Sequence, residues 1–306
     1  MKAAVYEEYG PPEVVQIREV PDPIPKDNEV LVKILATTVS AGDVRMRAFD
    51  VPGNALVRFM GRLFLGIRGP RRRILGMQLA GQVVAVGENV TRFEVGDDVF
   101  ASTYPTGFGA HAQYKCLPEH TVMATKPTNM SYPEAATCPV PGMGAFNVLK
   151  RASIQPGQKV IVYGASGAVG TNAVQLAKHW GAEVTGVCSE SNFELVRSLG
   201  ADNVIDYTKT DFTQTGQTYD VVFDAVGKIS SSSSKAALNE NGIFLTIGSQ
   251  GKEQAEELIE LKEIIEEGRL ISVIDRTYPL EEIVEAYRYV DKGHKKGNVV
   301  ITLNHL

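Results

Sequence analysis

Three glycines stand between an apolar run and a periodic one: Val160-Ile-Val-Tyr-Gly164-Ala-Ser-Gly167-Ala-Val-Gly170, running directly into Thr171–Lys178. The apolar run reads as a strand and the stretch after it as a helix, so the glycines occupy a strand-to-helix turn. Such a turn suits a diphosphate. Gly164 permits the tight reversal, Gly167 lets the backbone approach a pyrophosphate, and Gly170 lets helix and strand pack closely. Ser166, Ala168 and Val169 complete the loop, where the helix start offers unpaired N–H groups and the positive end of its dipole to the phosphates. The spacing is GxxGxxG rather than GxGxxG, but its place after a strand, before a helix and inside an alternating series marks it as dinucleotide-binding.

The next strand ends Val184-Thr-Gly-Val-Cys188-Ser189. A carboxylate at that end would accept hydrogen bonds from the ribose hydroxyls of NADH, and neither Cys188 nor Ser189 supplies one. Ser189 can donate to a 2′-phosphate and Tyr207 can add a phenolic donor, so NADPH is expected ahead of NADH. Against that stand Glu190 next door and Asn192, neutral where a cation would help. Ser189 also suits an ordinary helix N-cap.

These residues need a scaffold, and 306 residues, 43% hydrophobic and 22% charged, suggest about two domains and exclude a disordered chain or a rod. The net charge of -5 argues against nucleic-acid binding, which needs a basic face. Cys116, Cys138 and Cys188 are too few and too widely spaced for a disulfide framework or a zinc cluster. The opening MKAAVYEEYG lacks a signal peptide's apolar stretch, and no run of about 18 apolar residues could span a bilayer. The expectation is a soluble, cytoplasmic protein with no integral membrane segment.

Short strands broken by turns fill the first 120 or so residues: Lys2–Tyr6, Val15–Glu19, Glu29–Ala36, Gly81–Val86 and Asp98–Ala101, a pattern for a small β-barrel or sandwich. Ser131–Arg151 reads as one helix, with Ser131 as cap and Pro133 in the first turn. Alternation follows, with strands at Lys159–Tyr163, Glu183–Cys188, Asn203–Asp206, Tyr219–Asp224 and Gly242–Ile247. Helices lie between the earlier ones, at Ala168–Trp180 and Ser191–Leu199, and predict a parallel sheet covered on both faces. Leu258–Glu267 is a helix, and Ser272–Ile274, Leu280–Lys292 and Asn298–Thr302 form a strand–helix–strand unit returning to the first domain. The fold class is α/β.

The chain resembles the medium-chain dehydrogenase/reductase superfamily, in its zinc-free quinone oxidoreductase-like branch. Four pieces carry the resemblance in the family's order: Gly76-Met-Gln-Leu-Ala-Gly81 with Val83–Gly87; Val95-Gly96-Asp97-Asp98-Val99-Phe100; Gly164–Gly170; and Gly293-His-Lys-Lys-Gly297-Asn-Val-Val-Ile301. The resemblance implies a GroES-like β-rich catalytic domain (1–124 and 274–306) and a doubly wound Rossmann domain (125–273). It extends the cofactor contacts to Ala225, Val226, Ile247, Gly248, Gly297 and Asn298.

Zinc-dependent alcohol dehydrogenases of the superfamily place Cys where this chain has Ser40, His-Glu where it has Met77-Gln78, and another Cys near Val140; the four-cysteine structural lobe is absent too. Zinc needs three such ligands and an open site, so no metal is expected, and Cys138 reads as a buried small hydrophobe. Without a Lewis acid, alcohol oxidation is hard, whereas a quinone or the β-carbon of an enone takes hydride directly. The family's Asn-Pro-x-Asp is Ser40-Ala-Gly-Asp43 here, which makes Ser40 the candidate catalytic residue, near the nicotinamide ribose or substrate oxygen. No Tyr occurs from Ala48 to Val51, where many relatives have a possible acid. Asp43 and Arg47 are expected as a structural i,i+4 pair. Tyr104, Phe108 and His111 belong to a loop facing the pocket, with His111 a possible acid but more simply a polar residue among strands.

Arg45 to Arg73 holds eight arginines interleaved with Phe59-Met60 and Leu63-Phe64-Leu65. It is expected as a flap with solvated arginines, or as a basic face for a membrane surface or acyl carrier. Lys292, Lys295 and Lys296 are expected in solvent, with contact to a 2′-phosphate as the alternative. Relatives usually carry an extra edge strand after the equivalent of Gln250, through which a homodimer pairs, and Gly251–Ala255 is too short for it. The function implied is NADPH-dependent reduction of quinones or α,β-unsaturated carbonyls, with enoyl-thioester reduction or a nucleotide-binding redox sensor as alternatives.

Overall fold

A computed structural model describes residues 1–50, 54–249 and 251–305, the side chain of Phe64 excepted. The chain forms two compact units, Met1–Val140 with Ile274–Leu306, and Pro141–Val273. Val51 and Gln250, on which two of the expectations bear, lie outside the described residues.

The first unit begins with β1 (Lys2–Tyr6) and β2 (Val15–Glu19), an antiparallel ribbon. Then come β3 (Glu29–Val39), α1 (Ala41–Ala48), α2 (Ala55–Leu65), β4 (Gln78–Val86), β5 (Asp98–Ser102), β6 (Tyr114–Pro118), β7 (Met123–Thr125) and the short α3 (Tyr132–Ala135). In β3 the residues Val30, Val32, Ile34 and Ala36 are buried and Glu29, Leu31, Lys33 and Leu35 half-buried, the period-2 pattern of a strand with one face on a core.

The expected helix 131–151 is broken. Pro139 and Pro141 push the residues before them out of the helical region, so α3 stops at Ala135 and α4 (Pro141–Lys150) starts afresh. The segment between packs with the first unit, not with the Rossmann unit expected to begin at 125. Lys126 Nζ donates to Met130 O at 2.6 Å and Val140 N to Gln78 Oε1 at 2.8 Å. The division therefore falls after Val140.

The second unit continues with β8 (Lys159–Tyr163), α5 (Ala168–His179), β9 (Glu183–Cys188), α6 (Phe193–Ser198), β10 (Asn203–Asp206), β11 (Tyr219–Asp224), α7 (Ser231–Ser234), β12 (Leu238–Thr246) and α8 (Ala255–Glu266). The sheet order is β10-β9-β8-β11-β12, all pairs parallel. Strand order reverses between β8 and β11, the switch point beside which open α/β sheets bind ligands. β12 ends the sheet, and α8 follows it without a further strand among the described residues.

The chain then returns to the first unit as β13 (Ile274–Pro279), α9 (Ile283–Asp291) and β14 (Asn298–Thr302). The order there is β13-β14-β3-β4-β5-β7, with β6 also on β3. Ile283, Ala286, Tyr287 and Val290, one stripe of α9, join Val299 and Ile301 of β14 and Val32, Ile34, Leu79 and Val99 in one core. No helix among the described residues is long and apolar enough to cross a membrane.

Candidate functional site

The glycine turn is built as its spacing implies, and its three glycines do different things. Gly164 has φ +81°, and its N–H and that of Ala165 both donate to Val187 O at 3.0 Å, tying the turn to β9. A Cβ on Gly170 would lie 2.1 Å from Gly164 O and 2.7 Å from Ala165 Cα, so α5 crosses the end of β8 at a distance only glycine allows. Gly167 differs: it caps α5 at φ -80°, and an added Cβ would meet only Gly164 O, at 3.4 Å. The fold itself therefore leaves room there for a side chain. Gly167 provides no capping side chain, so the first-turn N–H groups of Ala168, Val169 and Gly170 have no intrahelical partner. A diphosphate fits both the room and the donors.

The ends of the other parallel strands surround this turn. Asn192 is only 9% exposed, and its Nδ2 donates at 3.1 Å to Ser166 Oγ and to Ser189 Oγ, while its Oδ1 has no partner. Ser189 stands at the cap position of the turn Glu190–Asn192, but its hydroxyl accepts no backbone N–H. Burial, with help from Asp206, pushes the neighbouring Cys188 thiol up to about 11. Tyr207 is half exposed, its ring 6.4 Å from that of Tyr163. Ala225 N donates to Tyr163 O at 3.0 Å, and the carboxylate of buried Asp224 turns the loop by accepting from Val226, Gly227 and Ile229 N at 2.9–3.0 Å. Ile247 and Gly248 form a short turn after β12. A cavity of about 500 Å³ opens beside this edge, lined by Tyr163, Tyr207, Lys209, Phe212, Ile229 and Ser233 among others.

Gly297 and Asn298 belong to the first unit, both buried at the start of β14. Lys292 and Lys296 are exposed as expected, but Lys295 is not. It donates to Gly297 O at 2.5 Å, and desolvation, against the pull of Asp275, pushes its ammonium down to about 8.

Ser40 heads a second strand-to-helix turn, between β3 and α1. Its Oγ accepts from Asp43 N at 3.2 Å and donates to Asp43 Oδ2 at 2.6 Å, while Ser40 N donates to the same oxygen at 2.8 Å. Asp43 is fully buried, and its other oxygen takes Gly76 N at 2.9 Å. With its proton turned to a carboxylate, Ser40 presents lone pairs rather than a proton to any further group. The expected Asp43–Arg47 pair does not form, because the cap and Gly76 occupy Asp43. Arg47 is buried over the Tyr287 ring and binds Asp291 of α9 at 3.1 and 3.2 Å, leaving Nε and Nη1 unpartnered.

Near Ser40, Met77 Sδ lies 3.7 Å from Oγ, and Gln78 donates to Thr38 Oγ1 at 2.8 Å and accepts from Val140 N. Cys138 is buried beside Thr137 and Met130, and desolvation pushes its thiol up to about 12. His111 is clamped between Thr38 O at 2.9 Å and Tyr287 OH at 3.3 Å, while Tyr104 is exposed against Phe108. In α2 the stripe Leu56, Phe59, Met60 and Leu63 faces outward and Arg62 packs over Tyr9 and Phe49, so the apolar side is outside and one arginine inside. Sequence reasoning passed over Asp224 and Lys209; the only local signal for either is a carboxylate or lysine at a strand's C-terminal end.

Comparison with known proteins agrees with this architecture. The alcohol dehydrogenase GroES-like domain matches residues 26–127, and the zinc-binding dehydrogenase family matches 168–289. Among curated relatives, a 2-methylene-furan-3-one reductase from Solanum lycopersicum is 33% identical over 98% of this chain and 79% of its own length. A chloroplastic NADPH-dependent alkenal/one oxidoreductase from Arabidopsis thaliana is 32% identical with the same coverage. Among solved structures, the quinone oxidoreductase from Coxiella burnetii (TM-score 0.84) and the CurK enoyl reductase (TM-score 0.85) are each 25% identical over 99% of both chains. With a GroES-like first unit, a Rossmann second unit and these relatives, the chain belongs to the quinone oxidoreductase-like branch of the medium-chain dehydrogenase/reductase superfamily and is an oxidoreductase.

Proposed function

We propose that this protein uses NADPH to reduce quinones or α,β-unsaturated carbonyls without zinc. The observation that carries this is the open start of α5, where Gly167 leaves both room and unpaired N–H groups, next to strand ends that offer Ser189, Asn192 and Tyr207 but no carboxylate turned to a ribose. Two relatives are reductases of the same type of acceptor, one of them named as NADPH-dependent.

Bound NADPH would supply a hydride. Gly164, Ser166, Gly167, Ala168, Val169 and Gly170 would hold its diphosphate. Ser189, Asn192 and Tyr207 would meet the adenosine end, and Ala225, Val226, Ile247, Gly248, Gly297 and Asn298 would complete the cofactor contacts. Ser40, with its proton held by Asp43, would accept a hydroxyl of the nicotinamide ribose and so orient it. It is not the acid, and the proton that completes reduction comes from water. The positions of the zinc ligands in related alcohol dehydrogenases offer a hydroxyl, a thioether and an amide, the first and last already hydrogen-bonded within the fold; that donor set does not suit zinc. The three free cysteines support a reducing, cytoplasmic setting. Any homodimer would form without the extra edge strand, since β12 ends the sheet.

The test is consumption of NADPH and NADH with an ortho-quinone and a short-chain enone, before and after chelator treatment. Turnover selective for NADPH and unchanged by chelation is the expected result. Loss of turnover restored by added zinc would overturn the zinc-free part. Binding of NADPH with no turnover on either acceptor would overturn the substrate assignment and favour acyl-thioesters, the direction of the CurK likeness.

A further inference from the structure

A negative side chain beside Ser189 and a neutral Asn192 stand against a 2′-phosphate, yet the structure supplies a cation at that corner. Lys209 Nζ lies 2.5 Å from Glu190 Oε2 and 3.8 Å from Asp206 Oδ2. Glu190 follows the end of β9 and Lys209 the end of β10, neighbouring strands whose ends are tied by Tyr207 N to Cys188 O at 3.4 Å. Side chains of Lys209 and Glu190 are 64% and 65% exposed, so each is free to re-aim and their mutual attraction is screened. Two cations nearby in the chain are held elsewhere, Lys178 by Asp202 and Arg197 over the Phe193 ring, whereas Lys209 stands where the ends of β9 and β10 meet. Asn192 Oδ1, buried and unpartnered among the serine hydroxyls, is an acceptor that a ribose hydroxyl would satisfy.

We infer that Lys209 is the cation that selects a 2′-phosphorylated adenosine, and that Glu190 holds it in the free protein and releases it to the phosphate. This rests on the NADPH assignment above and deepens it. A phosphate near Ser189 carries more charge than a carboxylate, so Lys209 moves to it, with charge-assisted hydrogen bonds replacing the exposed pair. Glu190 is then left without its cation and opposes the phosphate. The two side chains therefore act in opposite directions: Lys209 favours the phosphate, and Glu190 weakens it. Without Lys209, the Glu190 carboxylate is free to accept a 2′-hydroxyl, which favours the unphosphorylated nucleotide.

The test is calorimetric binding of adenosine 2′,5′-bisphosphate and 5′-AMP, which need neither nicotinamide nor turnover, to the wild type and to Lys209→Ala, Lys209→Arg and Glu190→Gln. Wild type is expected to prefer the bisphosphate, and the preference falls with added salt. Lys209→Ala lowers it about tenfold or more, Glu190→Gln raises it, and Lys209→Arg preserves it. Both sites are exposed, and unchanged melting temperatures confirm intact folding. If wild type prefers the bisphosphate but Lys209→Ala keeps the full preference, the role of Lys209 is wrong and the NADPH assignment stands. If wild type shows no preference, the NADPH assignment fails and this inference with it.

Discussion

Two strand-to-helix turns of the molecule, one on each side of the division between its units, have opposite chemistry. Between β3 and α1, Ser40 and Asp43 cap each other's backbone, and buried Asp43 reaches on to Gly76, so the helix start is closed by the protein's own atoms. Between β8 and α5, Gly167 caps with nothing, and the helix start stays open. The difference teaches how a fold divides its helix ends. A closed cap contributes stability; an open one gives up about the worth of a cap and gains a binding site for an anion.

Three substitutions break or sharpen that contrast. Gly170→Ala should have the largest effect, because its Cβ would sit 2.1 Å from a backbone oxygen with no flexible side chain to yield. A loss of about 3 kcal/mol or more in unfolding free energy, with NADPH affinity lost as the turn opens, is expected by denaturant titration and calorimetry. Asp43→Ala removes the cap of α1 and orphans the buried Gly76 N–H, at a cost of about 2 kcal/mol. Its effect on adenosine bisphosphate affinity should be negligible; a matching loss of nucleotide affinity would erase the distinction between the two turns. Gly167→Asp closes the open cap. Scanning calorimetry of the nucleotide-free protein should show a gain of at most about 1 kcal/mol, while NADPH affinity drops by about 100-fold as a carboxylate takes the phosphate's place. A variant destabilised and still binding NADPH normally would mean that Gly167 serves the fold and not the ligand.

The glycine turn and the parallel sheet were legible in the sequence because each rests on local signals that agree. Gly164, Gly167 and Gly170 follow an apolar strand and precede a helix, and the short apolar runs between helices leave few topologies open. The Ser40 turn was half legible. Ser40 stood out through the Ser40-Ala-Gly-Asp43 motif, but Asp43 read as the partner of Arg47, since spacing alone cannot show that Gly76 and Asp291 compete for the two charges. Arg47 and Asp291 lie 244 residues apart, and nothing local in either names the other. Glu190 and Lys209 are only 19 residues apart, yet their meeting depends on β9 and β10 lying side by side. The expectation of one helix over 131–151 rests on the cap at Ser131 and leaves out Pro139 and Pro141, whose local chemistry accounts for the break. The outward apolar stripe of α2 reverses the usual sense of amphipathicity, which sequence pattern cannot orient by itself.

The placement of β14 between β13 and β3 has a consequence for biosynthesis. The Rossmann unit is one continuous stretch, 141–273, and can close as soon as it leaves the ribosome. The first unit cannot. Its long central strand β3 emerges early, but one of its neighbours is made only after that whole stretch, and Arg47 waits for Asp291 over the same interval. During that interval the Val39 end of β3 exposes backbone groups later bound to β14, together with the core face that α9 will cover. Nascent chains stalled before residue 298 should therefore hold a finished nucleotide domain and an unfinished catalytic one, and the early half is the part that would need a chaperone's protection.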